Sequence, residues 1–177
     1  FDNDGWTDLF VAGVRGNTLY RNNGNGTFRD VTDQAGFKAS GATPWSIAAG
    51  WFDYNNDGLL DLFVVNYCRW DPAKEPFCGG SKPGHRTYCH PRHYEGLANQ
   101  LYRNNGDGTF RDVSQESGIA GHVGKGMGLA FADYDEDGRL DIFVANDTVR
   151  NFLFHNEGNG KFTESGLRAG IAFNGDG

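Results

Sequence analysis

The sequence predicts an all-β fold built from β-propeller blades of four antiparallel strands, with about three blades of a larger ring present. Three observations carry that expectation. The first is an internal repeat: Asp2-Asn-Asp-Gly-Trp-Thr-Asp8-Leu-Phe-Val recurs as Asn55-Asn-Asp-Gly-Leu-Leu-Asp61-Leu-Phe-Val and as Asp135-Glu-Asp-Gly-Arg-Leu-Asp141-Ile-Phe-Val. The second is a companion block, Leu19-Tyr-Arg-Asn-Asn-Gly-Asn-Gly-Thr-Phe28, which returns at 101–110 and more loosely at 153–162. The third is strand chemistry, with four short segments per copy separated by Asn, Asp and Gly.

Within a copy the elements follow one another in a fixed order. Residues 48–52 and 126–132 are first strands rich in small side chains, and 60–65 and 140–145 are β-branched and aromatic second strands. Residues 101–104 and 109–113 flank Asn105-Gly-Asp-Gly108, a hairpin sequence because Asn, Asp and Gly tolerate positive φ. No long amphipathic run favours a helical solenoid. From Asp4 to Asp57 is 53 residues and from Asp57 to Asp137 is 80, so the middle copy carries 27 more, inserted between Asn66 and Asn99. The expected organisation is a blade over 1–44 lacking its first strand, a blade over 45–125 with an insertion at 67–98, a blade over 126–168, and the start of a further blade over 169–177. Phe1 falls inside a loop of the repeat, so the remaining blades are expected in a longer chain.

Each copy carries an acidic loop ahead of its second strand. The second reads Asp53-x-Asn55-x-Asp57-Gly58-x-x-Asp61 and the third Asp133-x-Asp135-x-Asp137-Gly138-x-x-Asp141. Side-chain oxygens at positions one, three, five and nine converge only if the chain wraps tightly, which the glycine at position six permits. A set of hard oxygen ligands selects Ca²⁺ over zinc or copper. Position seven is Trp6, Leu59 or Arg139, an indifference that suits a backbone carbonyl ligand from Leu59 and Arg139. An EF-hand would need a bidentate Glu at position twelve and flanking helices, but Val64 and Val144 stand there, within strands. By carboxylate count the third loop binds more tightly than the second. The first offers Asp2, Asp4 and Asp8 without a position one, and is expected weak. Together the loops use ten of the 23 acidic residues, and three bound Ca²⁺ would take the net charge from -7 to -1.

The acidic loop ahead of Asp-Leu-Phe-Val, followed by Leu-Tyr-Arg-Asn-Asn-Gly-Asp-Gly-Thr-Phe, resembles the FG-GAP/VCBS repeats, the class that includes the calcium-binding blades of integrin α subunits. More narrowly, residues 99–113 with Tyr88-Cys-His-Pro-Arg-His-Tyr94 upstream are similar to proteins of the cartilage acidic protein type, in which such a propeller precedes an ASPIC/UnbV domain. The resemblance implies an extracytoplasmic propeller of the seven-bladed type, calcium loops that brace the blades, a role in adhesion or recognition, and no catalytic residue.

The insertion differs from its surroundings. It holds all three cysteines (Cys68, Cys78, Cys89), four of the five prolines, His85, His90 and His93, and five Lys/Arg against three Asp/Glu. A Cys78–Cys89 disulfide is the leading reading and suits an exported protein. A zinc site of Cys78, Cys89, His85 and His90 or His93 and free thiols are the alternatives, and Cys68 is the odd cysteine. His122 and His155 are isolated and read as surface or hairpin residues rather than ligands.

Composition limits the function classes. A net charge of -7 makes nucleic acid a poor partner, and no apolar run approaches the ~18 residues of a membrane span. The chain contains no GxSxG, HExxH or P-loop, so no catalytic constellation is expected. The leading reading is a non-catalytic calcium-binding module for protein recognition, adhesion or assembly. Its alternatives are a lectin of the same fold, tested at Trp70, and the propeller of an exported polysaccharide-acting enzyme.

Overall fold

A computed structural model describes residues 1–37, 44–80 and 84–173. Among these the chain is all-β, with four antiparallel sheets and no helix beyond three short 3₁₀ turns. The first sheet contains β1 (Leu9–Val11), β2 (Thr18–Asn22) and β3 (Phe28–Asp30). The chain then forms β4 (Pro44–Phe52), β5 (Asp61–Arg69), the two-residue β6 (Leu97–Ala98), β7 (Gln100–Asn104) and β8 (Phe110–Asp112). A short β9 (Val123–Gly124) precedes β10 (Gly126–Ala132), β11 (Asp141–Asn146), β12 (Phe152–Asn156) and β13 (Phe162–Glu164). The larger sheets are meanders with orders β1-β2-β3, β4-β5-β7-β8 and β10-β11-β12-β13, while β6 pairs with β9. Part of the segment expected to open a further repeat, residues 174–177, lies outside the described residues, as do 38–43 of the first repeat.

Local chemistry sets the hairpins. In β7–β8, Asn104 pairs with Phe110 and the Asn105 amide donates to Thr109 O at 3.0 Å. Gly106 and Gly108 take φ of +77° and +85°, which a Cβ would strain. The first two strands of the middle sheet run longer than their sequence suggests. Trp45 pairs with Cys68 and Pro44 with Arg69, so the insertion begins as a continuation of the β4–β5 ladder across two register shifts near Ser46.

The core lies between sheets. Leu62 and Val64 of β5 point into a cluster with Leu19, Phe37 and Phe110, while Phe63 and Val65 point the other way, into a cluster with Ile142, Val144, Phe152 and Phe154. A strand buried on both faces reads as a continuous apolar run because its two side-chain sets, alternating with period two, each meet a neighbouring sheet. The sheets approach closely where side chains are small. A Cβ built on Gly126 would stand 2.3 Å from Val65 Cγ1, and one on Gly50 would stand 2.5 Å from Phe131 Cε2.

Cys78 and Cys89 form the disulfide, with Cα atoms 5.2 Å apart and eleven residues of separation, and Cys68 is a buried free thiol. Both thiols of the alternative zinc set are therefore spent in the bridge.

Gly126→Ala is expected to destabilise the chain by about 1–3 kcal/mol through overpacking against Val65. Gly121→Ala, whose Cβ meets nothing within 4 Å, should stay within about 0.5 kcal/mol of wild type. Urea unfolding midpoints of the two variants compare them, and equal midpoints would remove close sheet approach as the role of Gly126.

Candidate functional site

Each acidic loop folds on its own carboxylates. Asp53 accepts the Asp57 amide through Oδ1 at 3.1 Å and the Gly58 amide through Oδ2 at 2.8 Å, and Asp133 does the same for Asp137 and Gly138 at 3.0 and 2.8 Å. Position five caps the following turn. Asp4, Asp57 and Asp137 accept the amides of Trp6, Leu59 and Arg139 at 2.9, 3.0 and 2.9 Å. Two residues per loop are left-handed: Asn3, Asn56 and Glu136 at position four, with φ of 57°, 57° and 60°, and the glycine at position six. The loop thus needs position four to leave the ordinary right-handed regions, which Asn does at small cost.

Position nine is the buried anchor. Asp8, Asp61 and Asp141 are 8%, 0% and 2% exposed. Oδ1 of each accepts a backbone amide from the hairpin strand, from Asn22, Asn104 and Asn156, each at 2.8 Å. Oδ2 accepts a backbone nitrogen of the loop itself, from Phe1 at 2.6 Å and from Tyr54 and Tyr134 at 3.2 Å. Burial pushes the Asp61 carboxyl from 3.8 up to about 6, against the lowering effect of the Asn104 and Tyr54 amides, and the charges of Asp57 and Asp53 add to the rise.

The hairpin asparagines carry the loops from one repeat to the next. Asn104 Nδ2 donates to Leu60 O of its own repeat and Phe1 O of the preceding one, both at 3.0 Å. Asn156 Nδ2 likewise reaches Leu140 O at 3.1 Å and Tyr54 O at 2.9 Å. Asn3 and Asn56 donate onward to Gly58 O and Gly138 O at 3.4 and 3.5 Å.

Oxygen atoms gather in two loops, three carboxylates in each, with Asp137 outside the third-loop group. One carboxylate oxygen from each of Asp53, Asp57 and Asp61 lies within 4.8 Å of the others, as do those of Asp133, Asp135 and Asp141. Asn55 joins the second loop through a 2.8 Å bond from its Nδ2 to Asp57 Oδ2. An all-oxygen set of this spacing fits a hard divalent cation. Asp2, Asp4 and Asp8 do not gather in this way. Arg21 holds Asp2 in a charge contact of 2.8 Å, off the hydrogen-bond line, and Asp4 at 3.2 Å. Position seven has a second role that sequence reasoning misses. The side chains of Trp6, Leu59 and Arg139 lie over the hairpin glycines Gly24, Gly106 and Gly158, where a Cβ would meet them at 2.8, 3.3 and 3.6 Å.

His155 is not isolated. Its Nδ1 lies 3.2 Å from Asp141 Oδ1 and 3.6 Å from Asp135 Oδ2, and it groups with Asp135 and Asp137. His122 packs edge-on to Phe152 and Phe154. Trp45 of β4 and Tyr67, Trp70, Tyr88 and Tyr94 of the insertion line a cavity of about 460 Å³ together with Glu75. Trp70 Nε1 donates to Glu75 Oε2 at 2.5 Å, and Arg15 lies over its ring. The Tyr94 hydroxyl donates to Glu75 Oε1 at 2.6 Å, which pushes the phenol up to about 12.

Meanders of short strands, each carrying an acidic loop and bonded to the next through that loop, define a β-repeat protein with carboxylate-rich loops. The chain belongs to the FG-GAP-like repeat family, whose pattern matches residues 1–64, 92–144 and 133–177 and leaves out most of the insertion. It is similar to cartilage acidic protein 1 of Mus musculus and of Homo sapiens, at 38% identity over 62 residues in each, and of Xenopus tropicalis, at 42% over 48. These matches cover 35% of this chain and 9% of the two mammalian proteins, and 27% and 7% in the third case.

Two outcomes follow. Asn156→Ala leaves Tyr54 O and Leu140 O without their buried donor and should cost about 2–4 kcal/mol. Asn22→Ala, whose side-chain N–H reaches one exposed carbonyl, Thr7 O, and whose Oδ1 takes the Gly24 amide, frees no buried carbonyl and should cost about 1 kcal/mol. Comparable costs in thermal unfolding would refute the inter-repeat role. For Asp61, the folded chain holds the proton more tightly than the unfolded chain, so metal-free stability falls as pH rises from 3.8 to about 6. Carboxyl ¹³C titration in EDTA should place its midpoint near 6, and an ordinary aspartate midpoint would refute this.

Proposed function

We infer that the chain forms calcium-braced blades of a closed β-propeller that serves as a non-catalytic, extracytoplasmic recognition, adhesion or assembly module. The observation that carries the reading is the position-nine carboxylate. Asp61 and Asp141 are buried acids held by two amides each, at the focus of further carboxylates, an arrangement whose repulsion a divalent cation relieves. The ligands assigned to Ca²⁺ are Asp53, Asn55, Asp57 and Asp61 with the Leu59 carbonyl, and Asp133, Asp135, Asp137 and Asp141 with the Arg139 carbonyl.

Closure is supported by what is left uncovered. Phe110 and Phe162 are each 7% exposed against a preceding sheet, while Phe28, at the same hairpin position, is 43% exposed and shares its sheet with exposed Leu9 and Val11. That face suits a further blade. The disulfide supports an oxidising compartment, and no helix among the described residues is long and apolar enough to cross a membrane. The family match supports a role in adhesion or recognition, with a protein or glycan surface as the partner.

Isothermal titration with Ca²⁺ should give saturable binding, and each site should add about 2.7 kcal/mol when Ca²⁺ stands a hundredfold above its Kd. Asp135→Asn removes a ligand charge from an exposed loop position and should weaken the third site about tenfold while leaving the melting temperature in EDTA unchanged. Absence of heat together with identical melting in Ca²⁺ and EDTA would sink the calcium reading.

A further inference from the structure

The residue just ahead of the third strand is an asparagine in every repeat: Asn17, Asn99 and Asn151. Its Oδ1 takes the backbone amide of Gly13, Asn66 or Asn146, at 3.1, 3.0 and 2.9 Å. That bond fixes which end of the carboxamide is left with N–H groups to give. In the third repeat, Asn151 Nδ2 gives one to Ile171 O at 3.4 Å. The matching carbonyl of the middle repeat is Ile119 O, which belongs to a 3₁₀ turn (Ile119–Gly121) and takes the His122 amide at 3.2 Å instead. Asn99 Nδ2 is therefore left without a hydrogen-bond partner, although the residue is 1% exposed. A buried donor without an acceptor destabilises a fold, so its presence in one repeat asks for an acceptor from outside the chain.

Asn99 lines a cavity of about 480 Å³ to which the first repeat and the middle one both contribute, and no acidic-loop residue is among its described lining residues. Phe37 and Tyr102, with rings 4.8 Å apart, supply an apolar wall together with Leu97. Gln100 Nε2 donates to the Tyr102 hydroxyl at 2.8 Å and to Asp112 Oδ2 at 3.4 Å. Burial, with the Asp112 charge beside it, pushes the Tyr102 phenol up, so it stays an O–H group. Asp112 is the one charged residue among the described lining residues. An anion would meet that carboxylate with no countercharge, and a cation would be opposed by the unpaired Asn99 donor. A neutral hydroxylated group suits both ends, because each hydroxyl can accept from an amide and donate to a carboxylate, while its C–H face lies on the aromatic wall. We propose that this cavity binds a neutral sugar unit, with Asn99 Nδ2 donating to a sugar oxygen and Asp112 accepting from a sugar hydroxyl. The proposal rests on the reading of the chain as a recognition module and gives that module a ligand class, at a site apart from the acidic loops and from the Trp70 cavity.

The test titrates methyl glycosides of glucose, galactose, mannose, fucose and N-acetylglucosamine into the whole ¹⁵N-labelled chain, in Ca²⁺ and in EDTA, with sialic acid and choline as charged comparators. The readout is the side-chain NH₂ pair of Asn99, assigned by its loss in Asn99→Asp. At least one neutral glycoside should shift that pair saturably, while the charged comparators leave it in place. Asp112→Asn keeps the Oδ1 that takes the Ser114 amide and hydroxyl and turns the other oxygen into a donor, so it should weaken the glycoside about tenfold with the chain still folded by circular dichroism. Trp70→Ala should leave the affinity unchanged. An Asn99 pair that no glycoside moves, or equal affinity in wild type and Asp112→Asn, overturns the proposal. So does sugar binding that Trp70→Ala abolishes while Asn99 stays unmoved, which places the sugar in the insertion instead. If Ca²⁺ binds and no glycoside moves Asn99, the sugar site fails and the calcium-braced module stands with a protein partner. If a glycoside moves Asn99 in a chain that takes up no Ca²⁺, the sugar site stands and the calcium reading fails.

Discussion

The fold depends on a pair of side chains used three times, the position-nine aspartate and the hairpin asparagine. Asp61 holds the start of its loop through the Tyr54 amide and the hairpin through the Asn104 amide, so one carboxylate fixes the spacing between a loop and a strand 43 residues later. The Asn104 side chain then uses its two N–H groups on carbonyls from two repeats. An aspartate can accept both amides because each oxygen has lone pairs to spare, and an asparagine can bridge two carbonyls because its amide nitrogen carries two protons. Neither role survives exchange of the two residues. The pair converts a local turn into a link between sheets, and the two amide hydrogen bonds at Asp61 only partly offset the cost of burying its charge.

Around that link, packing follows from what each strand must touch. β5 is apolar on both faces because it is sandwiched, and the strands that approach it use glycine where side chains would collide. Gly126 against Val65 and Gly50 against Phe131 let the sheets close. The glycine excess of the chain therefore has three sources: positive φ in the acidic loops, positive φ in the hairpins, and close approach between neighbouring sheets.

Much of this is legible in the sequence, and the parts that are not have a common cause. Repeats, strand chemistry and the Asn105-Gly-Asp-Gly108 hairpin depend on neighbours within a few residues, and they appear in the sheets. The Cys78–Cys89 bridge stands among alternatives in the sequence because pairing is a matter of distance in space. Asn22, Asn104 and Asn156 occupy the same place in every copy, but their partners are carbonyls, which no sequence pattern displays. Reading position seven as a bare carbonyl misses that Trp6, Leu59 and Arg139 cover hairpin glycines. His155 looks solitary because its neighbours Asp135 and Asp141 are distant in sequence. The available signal is the alignment of Arg21, Arg103 and His155 at one register.

Arginine guanidiniums also balance part of the charge of the acidic loops. Every position-five carboxylate has a guanidinium against it: Arg21 on Asp4, Arg103 on Asp57, and Arg139 on Asp137. The first two come from the hairpin strand, the third from position seven of the loop itself. A cation entering the second loop must share Asp57 with Arg103, and one entering the third must compete with Arg139, which its Nε bond to Asn156 O at 2.7 Å also holds. Counting carboxylates ranks the third loop above the second by one charge. The guanidiniums do not add to that ranking, because Arg139 is also pinned at Asn156 O, whereas the Arg103 side chain is 43% exposed and stands 3.5 Å from Asp57.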